Sequence, residues 1–348
     1  MKRLILSLTI LCALQAWSQS DKSAAFNHLD LSLTTGTTGI GFDVSMPVND
    51  YLDLRTGFAF MPHITQKMHF GVEIGDDPNL SRSRIERLTS LLQEVIGNNI
   101  DDQITMDAMP TYWNWKVLAD VKPFQNKHWH FTAGFFLGNK QIGKAVNSME
   151  DMSTLMALTI YNKMYDNVSH GRPIVSAGSY TFDKKEVRRK LMEYGQMGIS
   201  MGRYKHDVYY EEDEICTQDY WDAVNDVFYF EGDIIHHKGD VKHAPGDRYR
   251  MVPDENSMVS ARAFANSFKP YLGFGYGGRL IKGDDSWHVS FDAGALFWGG
   301  TPSVKTHDGT DLMNDVENVH GKVGDYIDIM KNFKVFPVLN LRITKRLF

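Results

Sequence analysis

The stretch FKVFPVLNLRITKRLF, residues 333–348, decides the fold. Its residues alternate with period two: Leu339, Leu341 and Ile343 face one way, and Asn340, Arg342 and Thr344 face the other. That is the signature of a β-strand with one apolar face. It ends on an aromatic residue, Phe348, as the last strand of an outer-membrane barrel does. One detail departs from that pattern. The apolar series puts Leu347 on the apolar face rather than Phe348, with Lys345 between, and a terminal bulge or a frayed last residue would account for it.

The other end of the chain points to the same compartment. Met1-Lys2-Arg3 is a short cationic segment, and Leu4 to Leu14 is an apolar run of eleven residues. Ala16-Trp17-Ser18 satisfies the small-x-small cleavage rule, so residues 1–18 read as a signal peptide cut before Gln19. The run is too short to span a bilayer as a helix. Cys12 lies inside it, after Leu11, where a lipoprotein cleavage site would need a small residue.

Composition agrees with a barrel. Mean hydropathy is −0.33, which a transmembrane barrel shares with soluble proteins because only alternate strand residues meet lipid. Aromatic residues make up 12% of the chain, enough to supply interfacial girdles. The formal charge is −6, and loss of Lys2 and Arg3 with the signal peptide brings it to −8. This argues against nucleic acid as a partner. Of the 2 cysteines, only Cys216 survives cleavage, which excludes an intrachain disulfide.

Eight segments alternate like the last one, near 26–36, 39–48, 51–63, 111–123, 128–141, 269–281, 287–301 and 333–347. In each, the apolar face is bulky and continuous. Examples are Ile40, Phe42, Val44 and Met46; Trp113, Trp115 and Val117; and Trp129, Phe131 and Phe135. The opposite face mixes charge with glycine. That combination predicts an all-β membrane protein with helical loop insertions, an eight-stranded antiparallel up-and-down transmembrane β-barrel with lipid outside and small or charged side chains inside.

The connections alternate in length, as they do in such barrels. Short turns fall near 48–50, 124–127 and 282–285. Long loops run 64–110, 142–268 and 302–332, and only the first outer loop, near 34–38, is short. Residues 19–348 are thus read as the barrel, with 64–110 and 142–268 as extracellular helix-containing loops forming a cap. Ser83 and Glu86 have capping-box spacing before Ile85, Leu88, Leu91, Leu92, Val95 and Ile96, with Gly97 to stop the helix. Ser148 and Asp151 repeat the device before Met152, Leu155, Met156 and Ile160. A third, basic helix is expected over 184–197.

No motif names a reaction. His236, His237 and His243 cluster in one loop, but no carboxylate or cysteine completes a zinc-site spacing. His307-Asp308-Gly309-Thr310-Asp311 with Asn314 and Asp315 is rich in oxygen yet lacks calcium-loop spacing, and reads as turn chemistry. Asp-His pairs at the rim could activate water, but nothing in the sequence selects one. The distinctive set is the inward-facing charges Asp43, Asp53, Arg55, Lys116, Asp120, Arg279 and Asp292, which either line a channel or close it as a salt-bridge network.

The segments HLDLSLTTGTTGIGFDV, WKVLADVKPF, FKPYLGFGYG and LRITKRLF resemble the outer-membrane β-barrel proteins common in Bacteroidota and, more loosely, the eight-stranded OmpA, OmpX and OmpW class. The resemblance covers the strands and not the large third loop. It implies integral residence in the bacterial outer membrane, contact with outer-membrane lipid, and handling by the barrel-assembly machinery. The expected role is non-enzymatic: structural, adhesive or partner-binding through the cap, with an extracellular protein or glycan as ligand and with no cofactor or metal. The alternative implied by the OmpW likeness is a narrow channel for a small, apolar solute.

Overall fold

The computed structural model describes residues 27–75, 101–177, 180–216, 219–222, 227–319 and 335–347, with residues 81, 83–86, 324–325, 327–328 and 331 between them. The segment expected to be a signal peptide, most of the helix expected after Ser83, and Phe348 lie outside the described residues. The strands used below are β1 (Asp30–Gly36), β2 (Gly39–Asn49), β3 (Leu52–Phe60), β4 (Gln66–Ile74), β5 (Gln103–Pro110), β6 (Trp113–Val121), β7 (Trp129–Gly138) and β8 (Gln141–Asn147). Helices α1 (Met152–Ser169) and α2 (Lys185–Tyr194) follow. Then come β9 (Met197–Tyr204), β10 (Arg248–Met251), β11 (Ser260–Phe264), β12 (Phe268–Ile281), β13 (Asp284–Phe297), β14 (Ser303–Thr306), β15 (Val316–Glu317) and β16 (Val335–Arg346).

Eight of these strands close into an antiparallel barrel in the order β1-β2-β3-β6-β7-β12-β13-β16. Closure comes from β16 pairing with β1, in register from Asp30 opposite Arg346 to Gly36 opposite Asn340. Closure leaves no strand edge unpaired, the condition for sheet to cross hydrocarbon. Leu31, Leu33, Phe42, Leu54, Phe58, Leu272, Phe274, Phe291, Leu339 and Leu341 are all exposed on the outside. Their polar alternates Ser32, Asp43, Arg55, Lys116, Asp120, His130, Asp292 and Arg342 are buried inside. A soluble barrel would show the reverse, so this is a membrane-spanning surface.

Aromatic pairs mark both rims, as membrane–water interfaces favour. Toward one end Trp113 stacks on Phe58 with ring centres 5.5 Å apart. Toward the other, Trp129 meets Tyr276 edge-on at 5.0 Å. No helix among the described residues is long and apolar enough to cross a membrane.

Beyond the barrel the wall does not end. The long loops contain a second, eight-stranded sheet of order β10-β9-β4-β5-β8-β11-β14, with β15 added on β9. Its run β4-β5-β8-β11-β14 copies the barrel run β3-β6-β7-β12-β13 strand for strand, because each pair is contiguous in the chain. The barrel wall therefore continues upward as the cap. The described residues of 64–110 and 142–268 are strand as much as helix, which the sequence reading of helix-containing loops did not anticipate.

The sheet wraps around α1. Leu155, Leu158 and Tyr161 of α1 are fully buried against Ile74, Ile104, Met106, Ile199 and Met251. Tyr161 donates to the Gly195 carbonyl at 2.7 Å. Asn162 accepts from the Met197 amide at 2.9 Å and donates to its carbonyl at 2.7 Å, so the helix is also hydrogen-bonded to the sheet. The expected Ser148–Asp151 box takes another form. Ser148 accepts from the Glu150 amide at 3.4 Å, whereas the Asp151 carboxylate accepts from the Thr105 amide of β5 at 2.6 Å. The helix expected over 184–197 ends at Tyr194, and Met197 begins β9 instead.

One element lies outside the cap sheet. The described residues between 208 and 243 make three nested pairings in the manner of a long hairpin, 208–209 with 241–243, 214–215 with 234–236, and 220–222 with 227–229. Among the described residues, each of these strands pairs only within the hairpin.

Candidate functional site: the closed lumen

The barrel interior is built in layers. Its middle holds Arg55 from β3, with Asp120 at 3.0 Å, Asp292 at 3.5 Å and Asp43 at 3.7 Å. These carboxylates come from β6, β13 and β2, so one guanidinium ties three other strands. Lys116 holds Asp43 at 2.8 Å. Arg342 of β16 reaches Asp292 at 3.2 Å and Asp120 at 3.4 Å.

His130 of β7 bonds Asp292 at 2.8 Å, Thr132 donates to Asp120 at 2.6 Å, and Arg342 donates to Ser290 at 2.9 Å. The result is three cations facing three carboxylates, with His130 bridging to Asp292. Buried charges are tolerated when paired, and every charge of this layer has an ion-pair partner, although both Asp43 oxygens and Arg55 Nε are buried without a hydrogen bond. Space for it comes from glycine: a Cβ at Gly275 would strike the His130 ring and the Asp292 carboxylate.

Toward the cap lies an apolar cluster of Phe136, Tyr271, Leu296 and Val338, which Leu118 joins from between Lys116 and Asp120 on β6, opposite Arg55. Phe136 and Tyr271 pack at 5.4 Å between ring centres. Above it Lys269, fully buried, donates to Asn114 at 3.3 Å and sits over the Tyr112 ring at 5.6 Å. A charged gasket and an apolar plug thus follow one another along the lumen.

Five of the seven inward charges read from sequence, Asp43, Arg55, Lys116, Asp120 and Asp292, meet in this layer. Asp53 and Arg279 do not. Asp53 pairs with Lys122 at the turn end, where both are partly exposed. Arg279 lies beyond the last pairing of β12 with β7, at Tyr276 opposite Trp129. There the β12–β13 hairpin overhangs the wall, and Arg279 pairs with Asp285 while more than half exposed. His130 and Arg342, missing from the sequence set, complete the network. Both stand on the polar alternation of their strands, which was the available signal.

The loop clusters separate. His236 stacks on Tyr210 at 4.5 Å, His243 on Tyr204 at 4.6 Å, and His237 lies 3.9 Å from Asp213. Asp308 accepts from the Tyr249 hydroxyl at 2.9 Å and from Thr306 at 2.6 Å. Its carboxyl is held below the ordinary range: burial opposes ionisation, but the Thr306 hydroxyl and Thr310 amide outweigh it. Asp311 accepts from the Met313 amide at 3.0 Å and Asn314 Nδ2 at 2.9 Å, as a turn residue does. Among the described residues no group of three or more His, Cys, Asp or Glu is placed to hold a metal ion.

No protein-family model matches the chain, and no curated protein matches it. Among solved structures it is similar to CarO2 of Acinetobacter baumannii, with 13% identity, 92% of this chain and 98% of that chain covered, and a TM-score of 0.34. CarO of the same organism gives 12% identity, 94% and 100% coverage, and 0.34. A major outer membrane protein from Thermus thermophilus gives 9% identity, 92% and 98% coverage, and 0.25.

Proposed function

We propose that this is a non-conducting outer-membrane anchor that displays a folded extracellular cap for partner binding. The carrying observation is the doubly closed lumen. Six paired charges tie the strands across the interior, and an apolar layer seals the cap side. A solute path would have to break ion pairs whose side chains are less than one-tenth exposed.

The hairpin outside the cap sheet supports the display reading. Residues 207–240 carry eleven Asp and Glu against one Lys, more negative charge than the whole mature chain nets. Along the same hairpin Tyr209, Ile215, Phe228, Phe230, Ile234 and Val241 are exposed, and apolar side chains with an acidic surround suit an interface with a cationic partner.

Single-channel recording of the refolded protein in planar bilayers tests the reading. The expected trace is silent, both for the full chain and for a form in which a short turn replaces 208–243. Discrete openings from the full chain would overturn the anchor and favour the narrow-channel alternative. Openings only after removal of the hairpin would make the cap a gate.

A further inference from the structure

The cap holds a second feature that the display role leaves unused. A cavity of about 390 Å³ opens where β9 and β10 meet the base of the hairpin, and Arg203, Arg248, Arg250, Gln196 and His243 line it. Arg203 and Arg248 are register partners across the two strands. Like charges directly opposite in a sheet are destabilising; Glu73 offsets the charge of Arg248, and Arg203 has Glu317 as its register partner on the other side.

Each guanidinium is held by the fold. Arg203 Nη1 donates to the Gly246 carbonyl at 2.5 Å and Arg250 Nη2 to the Gly75 carbonyl at 2.7 Å. Arg248 Nη1 meets Glu73 at 2.6 Å. Arginine has five N–H donors, so these anchors hold the forks without exhausting them. Arg203 makes no ion pair among the described residues. Asp247 also lines the cavity, but its Oδ2 is engaged by the Ala244 amide at 2.8 Å, within a turn. His243 lies face to face with Tyr204, interplanar angle 10°, which gives the cavity a rigid flat side.

We propose that this cavity binds the oxyanion of a sugar-sized organic acid, with Arg203, Arg248 and Arg250 as donors. Planar forks match a carboxylate or phosphate two oxygens at a time. The volume lies within the range of small-molecule sites and exceeds what a bare inorganic ion would fill. The inference rests on reading the cap as the binding unit, with one defined subsite on it.

The test is calorimetric titration of the full protein in detergent with glucuronate, glucose 1-phosphate, inorganic phosphate and glucose. The expected result is binding of glucuronate or glucose 1-phosphate, weakened by added salt, with no binding of glucose. Whichever acid binds more tightly identifies the source as a uronic acid or a phosphate ester. Arg203→Gln should weaken that binding about tenfold, the loss of one charge-assisted contact, with Arg203→Lys in between. Circular dichroism and thermal unfolding should match the parent.

Equal binding of glucose, tighter binding of inorganic phosphate than of both organic acids, or parental affinity in both Arg203→Gln and Arg250→Gln, would overturn the proposal. So would the absence of binding at millimolar concentration. None of these outcomes bears on conductance, so the anchor reading stands or falls separately.

Discussion

Replacing Arg55 with Met removes the one cation that contacts all three lumen carboxylates. Asp43, Asp120 and Asp292 would then have Lys116 and Arg342 as cations, with the His130 ring still on Asp292. All of these groups are nearly inaccessible to water, so the surplus negative charge has no solvent to relax into. Removing one partner from a buried ion network costs about 3–5 kcal/mol, and the expected loss of unfolding free energy lies there. A second substitution sharpens the test. Asp120→Asn, added to Arg55→Met, leaves two matched pairs: Lys116 with Asp43 at 2.8 Å and Arg342 with Asp292 at 3.2 Å. The introduced amide keeps an oxygen for Thr132. The double variant should therefore be more stable than Arg55→Met alone, although it carries more changes. Asp53→Asn, which touches only the rim pair with Lys122, should cost no more than about 1 kcal/mol. The assay is urea unfolding in lipid vesicles, followed by fluorescence of the outward-facing tryptophans Trp113, Trp115 and Trp129. If Arg55→Met costs no more than Asp53→Asn, or the double variant loses the sum of the two singles, the lumen is wet and the gasket reasoning is wrong.

Two further outcomes follow from other parts of the molecule. Leu341 stands near the middle of β16 and faces outward; Leu341→Arg should lower stability in the same vesicles by about 2–4 kcal/mol, and a change near zero would mean that this face meets water rather than lipid. In the cap, His170 and Asp166 pair at the end of α1 at 3.2 Å. The Asp166 bond raises the imidazole pKa, and the same bond lowers the carboxyl. The histidine's contribution is complete below its ordinary value and is lost as pH rises through its folded one. The carboxylate's contribution is present above its ordinary value and is lost as pH falls through its folded one. The helix end should therefore be best protected at mildly acidic pH. Solvent screening limits the effect to about 0.3–0.5 kcal/mol. Protection factors for the amides of residues 166–171 should fall toward pH 8, and His170→Gln should flatten that dependence; a flat profile in the parent would sink the idea.

The barrel was legible because the membrane imposes a single rule on every crossing strand: bulky apolar outward, small or charged inward. That rule located five members of the lumen network from alternation. Which charges meet is a matter of height along the barrel axis, which register sets and alternation does not report. Arg279 alternates correctly yet sits on an overhang, whereas His130 and Arg342 sit at the right height. The cap strands obeyed weaker rules. Met68, Phe70, Val72 and Ile74 do alternate with Lys67, His69, Gly71 and Glu73, and their apolar side packs on α1. Long spacers separate these strands from their partners, so they read as loop. The hairpin gave no strand signal, because most of its described side chains on both faces meet water, Cys216 being buried, and little enforces alternation.

An apolar filling would plug this lumen at least as stably, since buried ion pairs seldom outperform well-packed hydrocarbon of equal volume. What charge adds is a definition of which face is inside. A strand slipped by one residue turns its entire side-chain set over. In a barrel with an apolar lumen, both faces would then suit lipid, and the slip would go unpunished. Here a slip of β3 would put Arg55 into hydrocarbon and strand Asp43, Asp120 and Asp292 without it. The same holds for β6 through Lys116 and Asp120, and for β16 through Arg342. Because Arg55 and Arg342 both reach Asp120 and Asp292, the penalty is shared among strands that are not neighbours in the sheet. Correct closure of β16 on β1 is thereby sensed across the lumen as well as along the seam. The apolar layer above can then be small, because it has only to seal a barrel whose register the charges have already set.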